Sequence, residues 1–502
     1  METRLAAVAD LLVAEMREGA GIHTYDAVVQ DLSPAGVRAG LARLGGPARR
    51  EPHDEAHLAA MEEHLRVFYG ELEEHRRNPL VHLDNLDLAV YDKTYAPEEV
   101  RAEARRRHAA AWPFGVDVAI EALDRVPAPV AAGLLGAARG LSAGLPDDLE
   151  ADVRDVALAA AERLVAHIAH ASEHGPADAA LGSDVLARLL SSAEAVPVDL
   201  HLLARRADDE RDRLRTMLDE ACERLRPGAE PGDLVAELLC DHPGPDGVLD
   251  EARAQVAEVI EFTRARDLVP GLDGECLVGP APPSRRWAMA MMTWAGPYED
   301  DAPSWYHVTP PDESWPQEEQ EQWLEVFSRT TLPAITVHEV APGHFAHGRT
   351  LRRAPSDVRR TLYSGGFIEG WAHYTEELCL DEGFRADDPR FAIGVAIEAL
   401  VRVTRLAVSI GFHTREMTLD EAAARFQADA FLQGPAARGE ANRATFDPTY
   451  GRYTWGKLEI LSLSDEAEMR WGKRYSHTRF HAALLDLGAP PLGLIGDALG
   501  VD

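Results

Sequence analysis

The sequence predicts a mainly α-helical protein with one small β-sheet, and three observations carry that expectation. Residues 1–270 are dominated by Ala, Leu, Glu and Arg, the strong helix formers. Within them Leu149, Val153, Val156, Ala160, Leu164 and Ile168 recur at spacings of three or four, which is one apolar face of a helix. Over 268–316 the composition turns to Pro, Gly and aromatics, the signature of short strands and turns.

In chain order, further helices are expected at about 55–76, 96–111, 180–192, 204–226 and 250–266. Breaks fall at Pro127-Ala128-Pro129, Gly144-Leu145-Pro146 and Pro243-Gly244-Pro245. No fixed-period repeat is present, which excludes a solenoid. Residues 287–294 and 304–309 are expected as two strands around a turn region at Gly296-Pro297. The edge of such a sheet can hold an extended peptide backbone, or the hairpin can simply bridge two helical lobes. Met289, Met291 and Met292 are expected in the core. Ser314-Trp315-Pro316 starts an acidic helix to about Arg329, and Pro333 opens the next one. Residues from about 385 to 502 return to helix. The organisation expected is an N-terminal helical lobe, 1–270, and a catalytic lobe, 271–502, joined in one continuous fold.

Charge and cysteines narrow the class. The chain has 502 residues, with 51 Lys and Arg against 85 Asp and Glu, a net charge of −34. Such acidity repels nucleic acid and anionic membranes, so neither is an expected partner. Cys222, Cys240, Cys276 and Cys379 show no paired spacing, which suits a reducing cytoplasm. The first ten residues lack the apolar run of a signal peptide, and no stretch reaches the length of a membrane span. The expected location is cytoplasmic.

The chemistry concentrates in Thr336-Val337-His338-Glu339-Val340-Ala341-Pro342-Gly343-His344-Phe345-Ala346-His347, followed by Phe367-Ile368-Glu369-Gly370-Trp371-Ala372-His373-Tyr374-Thr375-Glu376-Glu377. Hydrolytic zinc takes three His or Glu ligands and leaves a position for water, and a neighbouring Glu accepts that water's proton. His338 and His344 are six residues apart, which on an unbroken helix leaves them roughly 120° apart. Pro342 and Gly343 lie between them and can absorb the excess as a bulge. A competing pair is His344 and His347, three apart on a helix restarted at Pro342. On the second segment Glu369, His373 and Glu376 share one helix face, so one can bind an ion while another orients a ligand. Arg402 and Arg405 can hold a substrate carboxylate, although Glu398 offers Arg402 an ion pair one turn away. Tyr450 and Tyr453 offer phenols to a developing oxyanion, with His413 as a weaker candidate. Asp84, Asp87 and Tyr91 are further candidates for a cleft. His108, His167 and His170 are expected at the surface or in packing.

His-Glu-x-x-Pro-Gly-His followed by Glu-Gly-Trp-Ala-x-Tyr-x-Glu resembles the bacterial DUF885 proteins, helical proteins whose fold is similar to the carboxypeptidase Taq metallopeptidases. Here Ala372 is followed by His373 and Tyr374, which keeps the pattern. Arg405 to His413 resembles the family's segment with Arg and a Gly-x-His, and Tyr453-Thr454-Trp455-Gly456-Lys457 resembles its Tyr-Lys-x-Gly segment. The resemblance implies His338 and His344 as ligands, Glu339 as general base and Glu369 as third ligand, 25 residues after His344, much as in gluzincins. The chain departs from the family pattern at Phe345, where a His is usual, and has His347 two residues on.

Together these readings describe two helical lobes around a deep cleft, with the small sheet next to the active-site helix. The function expected is a zinc metallohydrolase, one ion per chain, acting on a peptide or small amide in a carboxypeptidase-like way. Three alternatives stay open: hydrolysis of non-peptide amides or esters, a catalytically silent binding protein of the same fold, and a metal-free polar core. Oligomeric state stays open too, a homodimer included.

Overall fold

The computed structural model describes residues 2–147 and 149–500. It is mainly helical, with a single three-stranded sheet among the described residues. Five of the expected helices form with shifted ends: Glu98–Ala122, Ala151–His174, Ser183–Glu194, Leu200–Leu225 and Pro245–Ala265. The one expected over 55–76 does not run through. It passes from Pro52–Leu65 into a π-helical segment, Arg66–Glu71, and after left-handed Glu73 into a separate short helix, Glu74–Arg77. Glu98–Ala122 runs eleven residues past the expected end at 111 and straight through Pro113. Trp112, Val116 and Ala119 on its buried face pack into the core, and that burial outweighs the one backbone hydrogen bond a proline removes. No helix of the described residues is long and apolar enough to cross a membrane.

The main hydrophobic cluster runs from Leu83 to Ile495 and draws on both sides of residue 270. A smaller one joins Leu5, Met16, Leu58 and Leu65 to Val358 and Leu362. At the centre lies Pro389–His413, almost every residue of which is buried. Leu200–Leu225 packs along it, so the N-terminal helices and the C-terminal third meet there.

Two of the three strands were expected. β1 (Cys276–Pro280) was not; β2 (Ala290–Thr293) and β3 (Ser304–Val308) were. The order is β1-β3-β2, with β1 parallel and β2 antiparallel to β3. β2 is therefore an edge, and all four of its residues line the cavity described below.

The Gly365–Asp381 helix, which carries Glu369, is fixed at both its start and its middle. The Ser364 hydroxyl caps it by accepting from the Phe367 N–H at 3.2 Å, and itself donates to buried Glu194 at 2.5 Å. Further along it crosses the Arg452–Trp471 helix at glycine against glycine. A Cβ on Gly456 would sit 2.0 Å from the Gly366 carbonyl oxygen and 2.7 Å from the Gly370 Cα. Backbone cannot yield as a side chain can, so Gly456→Ala is expected to cost about 1–3 kcal/mol. A lowered midpoint in chemical denaturation checks this.

Candidate metal centre

The six-residue His spacing is solved by a break in the helix. The Leu332–Glu339 helix ends after Glu339, Ala341-Pro342 is a cis peptide bond, and a second helix runs His344–Leu351. Gly343 makes the restart sterically allowed: a Cβ there would lie 1.9 Å from the His338 carbonyl oxygen. The indole N–H of fully buried Trp371 donates to the Pro342 carbonyl at 2.9 Å, tying the break to the Glu369 helix. This geometry puts the two imidazoles side by side, ring centroids 4.7 Å apart.

Glu369 completes the group. Its Oε2 lies 3.4 Å from His338 Nε2 and 3.2 Å from His344 Nε2. Ligand atoms about 2.1 Å from a tetrahedral zinc stand about 3.4 Å from one another, so these two spacings are compatible with such an ion. Glu369 Oε2 makes no hydrogen bond at these distances, which leaves its lone pairs free for an ion. The three residues are the one His/Glu group of metal-holding spacing among the described residues.

The surrounding groups orient this set. His338 Nδ1 donates to Glu376 Oε1 at 2.7 Å, which leaves the Nε2 lone pair facing Glu369. Glu376 is fully buried and also meets His373 Nδ1 at 3.3 Å and Arg402 Nη2 at 3.3 Å. Burial would raise its carboxyl, but Arg402, His373 and His338 outweigh it and hold Glu376 well below the usual carboxylate range. Burial also opposes ionisation of Glu369, and the two imidazoles reverse the balance so that it too stays an anion. Glu339 differs. Burial raises its carboxyl, with His344 and His338 acting against the rise, and its Oε2 has no partner.

Tyr453 stacks on the far side of His338, centroids 5.9 Å apart. Guanidinium groups surround its ring, Arg405 at 4.8 Å and Arg452 at 5.5 Å, and Arg443 donates to its oxygen at 3.3 Å. Burial and then Glu369 raise the phenol, so it keeps its proton. All these groups face one cavity of about 450 Å³, walled on one side by β2.

Several expected residues lie elsewhere. His413 is no oxyanion donor: its Nε2 donates to the Ala444 carbonyl at 2.9 Å and its Nδ1 accepts from the Leu181 N–H at 3.2 Å, away from the cavity. Its imidazole serves the backbone, and burial lowers it to about 4. His347 is turned from the His338–His344–Glu369 group, donating to the Gly488 carbonyl at 3.3 Å and packing on Phe367, so the His344–His347 pairing is not formed. Tyr450 is fully buried behind the cavity wall and does not line it. Tyr91 is likewise in the core, bonded to His108 at 3.0 Å. Arg402 and Arg405 do line the cavity, but both are engaged: Arg402 with Glu398 at 3.0 Å and Arg405 doubly with Glu440 at 2.6 and 2.7 Å. Arg443 and Arg452 escaped the sequence reading, since nothing local distinguishes them from solvated helix charges.

The DUF885 family model, described as bacterial protein of unknown function, matches residues 15–499. This chain belongs to the DUF885 family. Two solved structures share the fold of this DUF885 protein over 99% of its length. One is titled a "putative lipoprotein of unknown function" from Shewanella oneidensis, with TM-score 0.74, 20% identity and 98% of that chain covered. The other is titled a "putative lipoprotein" from Colwellia psychrerythraea, with TM-score 0.77, 16% identity and 97% covered. No curated protein matches the chain.

Proposed function

We propose that this protein is a zinc-dependent hydrolase that cleaves a peptide or other amide bond. The observation that carries the reading is the convergence of His338 Nε2, His344 Nε2 and Glu369 Oε2, with the unpartnered Glu339 carboxylate beside them. Zinc bound there supplies Lewis-acid polarisation of the scissile carbonyl and acidifies a water. Glu339 takes the proton from the attacking water and passes it to the leaving amine. Tyr453, its oxygen already accepting from Arg443, has its own O–H free to donate to the developing oxyanion. β2 offers its free edge to an extended substrate backbone, with Met291 and Trp294 on the wall. The carboxypeptidase Taq likeness and the peptide specificity belong to this proposal.

The test is elemental analysis of the purified chain beside hydrolysis of short peptides and N-acyl amino acids. One zinc per chain and turnover that a chelator removes and zinc restores are expected. No bound metal after zinc is added back overturns the reading, and turnover of N-acyl amino acids alone moves it to non-peptide amides. Tyr453→Phe is expected to lower kcat about 10²- to 10³-fold with little change in KM, because the donor acts on the transition state. Four free cysteines favour the cytoplasm, whereas the lipoprotein titles of the solved neighbours favour the envelope. Cell fractionation decides between them.

A further inference from the structure

Four arginines crowd one ring beside the converging imidazoles, in a chain that carries 51 Lys and Arg against 85 Asp and Glu. The guanidinium carbons of Arg405, Arg452, Arg443 and Arg402 lie 4.8, 5.5, 5.8 and 6.0 Å from the centroid of Tyr453, whose own ring stacks on His338 at 5.9 Å. Three helices supply them: Pro389–His413, Gly434–Phe446 and Arg452–Trp471. All four line the cavity. Arg402, Arg405 and Arg443 are nonetheless only 5%, 8% and 6% exposed, and the Arg452 side chain 18%.

Buried cations are costly unless anions match them, and here the match is incomplete. Three carboxylates pair with these arginines and with no other cation: Glu398 with Arg402 at 3.0 Å, Glu440 with Arg405 at 2.6 and 2.7 Å, and Asp447 with Arg443 and Arg452 at 2.9 and 2.6 Å. Glu376, 3.3 Å from Arg402 Nη2, is shared with His338 and His373. Donors are left over as well. Arg402 Nε is buried with no hydrogen-bond partner. Among the described residues, Arg405 Nη1, Arg443 Nη1 and Arg452 Nε make no hydrogen bond either. One surplus cation matches a monoanion such as a carboxylate better than a doubly charged phosphate. A carboxylate also suits the planar guanidinium fork, which binds it through charge-assisted hydrogen bonds. The cavity, about 450 Å³, has room for a ligand of a few residues.

We propose that Arg402, Arg405, Arg443 and Arg452 form a binding site for a carboxylate of the ligand, so that the cavity selects short peptides carrying one close to the His338–His344–Glu369 group. The carboxylate is either the free C-terminus or an acidic side chain. The class of bond cleaved rests on the hydrolase reading; binding of the carboxylate does not.

Calorimetric titration of the full chain, as Glu339→Gln to stop turnover, tests this with three probes, both with zinc added and after a chelator. They are trialanine, trialanine amide, and the amide of a tripeptide containing one glutamate. Trialanine or the glutamate peptide is expected to bind at least about tenfold more tightly than trialanine amide in both states, and which of them does names the source. Arg452→Gln leaves Asp447 paired with Arg443, and Arg405→Lys keeps a cation beside Glu440. Each, with an unchanged melting temperature, is expected to weaken the favoured probe about tenfold without weakening trialanine amide. The comparison of probes uses neither variant, so it decides the question even where one fails to fold. Equal affinities for all three probes, absence of binding, a preference seen only with zinc present, or one that survives both substitutions overturns the proposal. A preference that depends on these arginines in a protein whose wild type turns over no amide sustains it and sinks the hydrolase reading instead.

Discussion

Glu339→Gln is expected to lower peptide hydrolysis by about 10²- to 10⁴-fold while zinc stays bound. The expectation follows from where the carboxylate stands. Glu339 is the last residue of its helix, next to His338, yet it lies outside the converging group of His338, His344 and Glu369. Its Oε2 has no hydrogen-bond partner although only 6% of the residue is exposed. Burial raises its carboxyl against the pull of His344 and His338, which is the direction a base needs in order to take a proton and give it up again. Glutamine keeps the shape and removes the basicity, so KM is expected to change far less than kcat. Hydrolysis assays beside metal analysis separate the two roles. Equal loss of zinc and activity would make Glu339 a ligand and remove the general base from the mechanism.

Much of the fold was legible because it is written locally. Amphipathic period and Pro/Gly punctuation located the longest helices before 270, since each buries one face against its neighbours, but not the shorter ones such as Pro34–Leu41 and Pro79–Leu86, nor Ala128–Ala143. What failed was non-local. β1 is five residues ending in Gly279 and Pro280, and it pairs in parallel with a strand 28 positions later, so no hairpin signal announces it. The helix expected to end near 111 continues through Pro113 because burial of the Trp112 face outweighs the proline. In the site, the His-Glu-x-x-Pro-Gly-His stretch carries its own explanation, because Gly343 is what lets the second imidazole return. His413 misled because a buried imidazole serving two backbone groups has the same local pattern as a catalytic one.

The second large effect concerns the metal. His338→Ala and Glu369→Ala are each expected to leave the purified protein without stoichiometric zinc, since two remaining ligands do not make a hydrolytic site. Glu376→Gln is expected to behave differently. It keeps all three ligands but replaces the anion that accepts from His338 Nδ1 and faces Arg402. The amide can still accept through its oxygen, so the imidazole keeps its orientation while losing the charge that strengthens it as a ligand. Zinc affinity should therefore fall about 10- to 100-fold rather than vanish. Glu376 is fully buried among His338, His373 and Arg402, so its loss also leaves Arg402 with Glu398 alone and is expected to lower the melting temperature. Glu369, which borders the cavity, is expected to cost little stability when removed, because it is only partly buried and its Oε2 makes no hydrogen bond that would be lost. Competition with a chelator of known affinity, read beside thermal melts, distinguishes the three variants. Zinc retained by Glu369→Ala at wild-type affinity would move the third ligand to another carboxylate of the cavity.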